Sequence, residues 1–113
     1  MIKYLENEAD FDEVIKSGNV VIDFFATWCG PCRIMGRVLE EVEKDYPNIT
    51  FLKVDTDQFQ ALAMEYGVVS IPTLVAYKNG EKTDFVSSTG LKHDILLGAQ
   101  QLEDFRDILD ATF

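Results

Sequence analysis

Six apolar residues interrupted by one acid, Val20-Val21-Ile22-Asp23-Phe24-Phe25-Ala26, lead directly into Thr27-Trp28-Cys29-Gly30-Pro31-Cys32. A continuous apolar run, unlike an alternating one, suits a strand covered on both faces, and such strands belong to sheets held between helices. After the cysteines Ile34, Met35, Val38, Leu39, Val42 and Tyr46 recur at a period near 3.6, and Pro47 stops the pattern. The strand-to-helix junction therefore falls at Cys29. The run also carries one carboxylate, Asp23, where an unpaired charge is costly enough that the group tends to take up a proton instead. Asp23 is either satisfied locally or retained for its proton.

The rest of the chain repeats this alternation. Ile2 to Leu5 reads as a short strand, Asn7 as the cap of a helix using Phe11, Val14 and Ile15, and Gly18 as its stop. Ile49 to Val54 is a second apolar strand; Phe59, Leu62, Ala63 and Tyr66 have helical spacing and end at Gly67. Thr73 to Tyr77 and Lys82 to Val86 flank Asn79-Gly80, a strong hairpin signal. Ile95, Leu96, Ala99, Leu102, Phe105 and Leu109 predict a last helix. The order βαβαβαββα implies an α/β fold, a mixed sheet of about five strands with about four helices on its two faces.

With 113 residues, 47% of them hydrophobic, residues 1–113 are expected to form one domain with a real core. Ten basic residues against twenty acidic ones give a net charge of -10, which disfavours nucleic acid and anionic membranes as partners. No run approaches the roughly 18 apolar residues of a membrane span, and the opening MIKYLENEADFDEV lacks a basic region followed by an apolar one, so a cytoplasmic location is expected.

The two cysteines carry the chemistry. Cys29 at a helix N-terminus, with Cys32 one turn on, brings the sulfurs together where free N–H groups and the helix dipole favour a thiolate. Gly30 permits a tight turn, and Pro31 is tolerated in a first helical turn. Structural zinc needs four ligands, and beyond the pair the chain has no further cysteine and one histidine, His93, so no metal is expected. There is no dinucleotide fingerprint, and no cofactor is expected.

Trp28-Cys29-Gly30-Pro31-Cys32, then Ile71-Pro72-Thr73, the Asn79-Gly80 turn and a late glycine, resemble the thioredoxin family over nearly the whole chain. The resemblance implies a thioredoxin fold and a thiol-disulfide oxidoreductase that reduces disulfide-containing client proteins and is itself re-reduced by a thioredoxin reductase. It makes Cys29 the attacking cysteine, Cys32 the resolving one and Ile71-Pro72 a cis-proline loop, where trans would otherwise be the default. It casts Asp23 as the proton acceptor and Lys53 as the lysine that modulates it. Trp28, Gly30, Pro31, Ile71, Pro72 and Gly90 become the substrate-binding surface, and a monomer is expected.

Residue chemistry bears on these roles. Trp28 beside a reactive sulfur suits an apolar wall for polypeptide. Pro31 brings neither charge nor donor to stabilise a thiolate, which points towards a reductant. Lys53, interrupting its own apolar strand, either reaches solvent along its stem or pairs in part with Asp23. The chain has Gly36-Arg37 where the family commonly places a kinking proline. A binding module with incidental thiols is the competing class; its complexes would survive serine at both cysteines.

Overall fold

The computed structural model describes residues 1–113. Strand β1 (Ile2–Tyr4) and a 3-10 turn lead to helix α1 (Phe11–Ile15), then β2 (Asn19–Phe25), α2 (Gly30–Glu43), β3 (Ile49–Asp55), α3 (Gln60–Glu65), β4 (Thr73–Lys78) and β5 (Glu81–Thr83). Short strands β6 (Phe85–Val86), β7 (Lys92–His93) and β8 (Leu96–Leu97) precede α4 (Leu102–Thr112). The main sheet has the order β1-β3-β2-β4-β5, with β8 also on β4. β1, β3 and β2 run parallel, and β4 is antiparallel to β2.

β2 is central and buried from Val20 onward, as its unbroken apolar run requires. Its odd positions face one layer and its even positions the other. Val21 packs with Phe51 against Met35, Leu39 and Val42 of α2 and Phe105 and Leu109 of α4. Val20, Ile22 and Phe24 pack with Leu52 and Val54 against α1 and α3. Burying each of the fully covered Phe24, Phe51, Phe85 and Phe105 stabilises the fold by roughly 1.5–3 kcal/mol. The Asn79-Gly80 hairpin forms as expected, with φ of 50° and 85° at its two turn residues.

Two expected elements differ. The strand over Lys82 to Val86 is broken: Glu81–Thr83 pairs with β4, while Phe85 and Val86 pair with β7 in a separate two-stranded sheet. Burial of Phe85 in the α4 layer turns the chain away from the main sheet. The last helix begins at Leu102, with the Gln101 side chain accepting the Asp104 N–H at its start. Ile95, Leu96 and Ala99 lie outside it, because Leu96 and Leu97 add to the β4 edge opposite Leu74 and Thr73. Their helical spacing lost to that pairing. Asn7 precedes a 3-10 turn and makes no side-chain cap bond.

Candidate functional site

Cys29 is the N-cap of α2 in extended conformation, and Pro31 lies in the first turn, where a missing N–H costs no helical bond. Cys29 and Cys32 are joined as a disulfide. The Cys32 amide donates to the Cys29 Sγ at 3.2 Å. A thiolate at Cys29 would keep that bond and gain the favourable end of the helix dipole. Cys29 is buried almost as fully as Cys32, 4% against 2% exposed in the disulfide, so accessibility separates the two less than position in the helix does.

The surroundings of the pair come from three chain segments. Trp28, 68% exposed, is fixed by an indole N–H donated to the Asp57 carboxylate at 2.8 Å. Gly30 and Pro31 are exposed on the first turn of α2. The Ile71-Pro72 bond is cis, and the Ile71 carbonyl oxygen lies 3.8 Å from the Cys29 Sγ. Ile71 packs against the small cluster of Phe25, Ala26, Cys29 and Cys32.

Asp23 is completely buried, and neither carboxylate oxygen has a hydrogen-bond partner. It shares its row of the sheet with Lys53 on β3 and Leu74 on β4, on the face that α2 covers. Desolvation pushes its pKa up to about 6, and the nearby charge of Lys53 offsets part of the rise. Lys53 does not close an ion pair: its Nζ sits 4.5 Å above the Phe25 ring and 5.3 Å from the Tyr4 ring. Of the two local readings for Lys53, the structure gives burial beside Asp23, with the residue only 9% exposed.

The glycine beside Pro72 is Gly98. Its amide donates to the Pro72 carbonyl at 2.8 Å, at a φ of 81° that suits glycine. Gly90 lies instead in the turn between β6 and β7, bonded to Ser87, in the small sheet tied to α4 through the Val86 N–H and the Thr112 hydroxyl. Gly98, and not Gly90, is thus the late glycine hydrogen-bonded to the Pro72 loop. The signal was available as a glycine inside a helical pattern. Asp57 was also missed, since nothing in its loop sequence marks a partner for Trp28. His93 is exposed on β7.

A family model described as Thioredoxin matches residues 2–101. The chain belongs to the thioredoxin family. A thioredoxin of Staphylococcus aureus is 40% identical over 104 residues, 91% of this chain and 90% of the relative. One from Mycoplasmoides gallisepticum is 42% identical over 84 residues, 74% of this chain and 84% of the relative. The solution structure of oxidised thioredoxin from Plasmodium falciparum superposes with a TM-score of 0.79 at 31% identity, covering 98% of this chain and 97% of that one. As a thioredoxin-family member with its cysteine pair at the head of α2, the chain is a thiol-disulfide oxidoreductase whose substrates contain disulfides.

Proposed function

We propose that residues 1–113 act as one dithiol electron donor for client proteins, with Cys29 attacking and Cys32 resolving. The observation that carries this reading is the Cys32 amide held on the Cys29 Sγ at the start of α2. The Cys29 thiolate attacks one sulfur of a client disulfide, forming a mixed disulfide and releasing a client thiolate that takes up a proton. Cys32 gives its proton to the Asp23 carboxylate and attacks the Cys29 Sγ. That step closes the Cys29–Cys32 disulfide and releases the second client sulfur; two electrons have passed to the client. Asp23 suits the role because a pKa raised to about 6 makes its carboxylate a stronger base while leaving it mostly ionised at neutral pH, and because it lies on the face beneath α2 with no competing donor.

Trp28, Gly30, Pro31, Ile71 and Pro72, with Gly98 in place of Gly90, form the docking surface. Ile71 precedes β4, so its backbone groups are outside the sheet ladder and free to bond an extended client segment. Lys53 tunes Asp23. A thioredoxin reductase returns the disulfide to the dithiol, and the protein works as a cytoplasmic monomer. No helix is long and apolar enough to cross a membrane.

The test is NADPH oxidation with a thioredoxin reductase and insulin as the disulfide substrate. The expected result is sustained turnover that Cys29→Ser abolishes. Reductase-independent binding to clients that survives serine at both cysteines would support the binding-module class instead.

A further inference from the structure

Between α2 and the neighbouring strand ends lies a cleft of about 410 Å³ whose lining includes Cys32, Arg33, Gly36, Arg37, Glu40 and Lys53. Three of the chain's ten basic residues meet here around a single acid, in a protein whose net charge is -10. Lys53 is the built element. It is nine-tenths buried, and its Nζ donates no hydrogen bond; the ion pairs of the chain all use other cations. The Phe25 and Tyr4 rings beside it supply attraction but no acceptor, so the donors of the ammonium are left to whatever enters the cleft.

Gly36 keeps that approach open. A Cβ there would stand 3.4 Å from the Lys53 Nζ, and any longer side chain would occupy the cleft itself. Arg33 is steadied on the rim by donating from Nη1 to the Thr27 carbonyl at 3.1 Å. Arg37 is exposed, enters no ion pair and lines the same cleft, where its planar guanidinium supplies up to five donors. Glu40 on the rim and Asp23 behind Lys53 subtract from the charge. Around this cleft the three cations outnumber the two carboxylates, while Glu6 and Asp55 line a second cleft on which Lys53 also borders.

We propose that this cleft binds a small oxyanion, the phosphate or carboxylate group of a small molecule, with Lys53 and Arg37 as its principal donors. Charge-assisted bonds to a desolvated ammonium and a planar fork are the recognition chemistry. Cys29 does not line the cleft, so the ligand sits behind the exchange surface, beside Cys32. Occupancy would be felt at Asp23, because an anion beside Lys53 cancels part of the positive charge that favours the carboxylate. That consequence rests on the role given to Asp23 above; the binding itself does not.

The oxidised, 15N-labelled protein is titrated with sodium phosphate and, separately, sodium acetate, at ionic strength held constant with sodium chloride. Saturable amide shifts at Gly36, Arg37 and Lys53, with a dissociation constant on the order of millimolar for a ligand this small, are expected. Arg37→Glu, an exposed change that leaves the core intact, should weaken the binding about tenfold or more, and Gly36→Leu should abolish it. Saturation by phosphate alone or acetate alone assigns the group. Linear shifts no larger than those from chloride, or saturable shifts indifferent to Arg37→Glu, would overturn the proposal. Neither result touches disulfide reduction, which is measured separately.

Discussion

Asp23 and Lys53 stand in register on adjacent parallel strands and face the same helix, yet no ion pair joins them. The lysine lies over Phe25 and Tyr4, and the carboxylate is left without a donor. Desolvation therefore outweighs the pull of the cation, and the acid is held at about 6.

The first prediction is a pH-dependent stability. The folded pKa lies above the unfolded one, so the native state binds more protons in the window from about 4 to about 6. Stability from this group is present below that window and is lost as pH rises through it. The loss is roughly 3 kcal/mol, two pKa units at about 1.4 kcal/mol each. Asp23→Asn removes the titration, so denaturant unfolding at pH 4 and pH 8 should show the variant gaining that amount relative to the wild type. Parallel pH profiles would mean that Asp23 is not the group responsible.

The same variant separates the two chemical steps. Formation of the Cys29 adduct should be nearly unchanged, while its resolution by Cys32 slows by up to the roughly 10²–10⁴-fold typical of acid-base assistance. Rapid-quench kinetics with a chromogenic disulfide reads both steps. Equal slowing of both would place Asp23 in the structure of the site and not in the proton transfer.

Cys32→Ser should arrest the reaction at the mixed disulfide, so client adducts accumulate on Cys29 and dissolve on adding reductant. In the reduced wild type, brief alkylation at neutral pH should label Cys29 first, because its sulfur is the one that accepts the Cys32 amide. Peptide mapping decides the second point, and preferential labelling of Cys32 would exchange the two roles.

Ile71→Asp places a carboxylate beside the Cys29 sulfur, on the loop that carries the cis bond. Turnover on insulin should fall more than turnover on dithiodipyridine, which is too small to lie along the loop. An equal fall on both would show that the change acts on the thiols and not on docking.

The unbroken apolar run of β2, the 3.6-residue period of α2 and the Cys-Gly-Pro-Cys spacing are local properties, and the sequence alone determined the strand, the helix and the sulfur pair at their junction. The Asn79-Gly80 turn was legible for the same reason, since its φ values suit few other residue pairs. What lay beyond local reading was decided by partners far along the chain. Leu96 left its helical pattern because Leu74 on β4 offered a strand edge. Gly98 came to lie beside Pro72 through a hydrogen bond that spans 26 residues of sequence, from amide to carbonyl. Asp23 and Lys53 could each be noticed as a charge in an apolar strand. Only the register of β2 against β3 put them in one row, and only the packing of Phe25 and Tyr4 kept them from pairing, because burial and pairing energies depend on what surrounds a group and not on its neighbours in the chain.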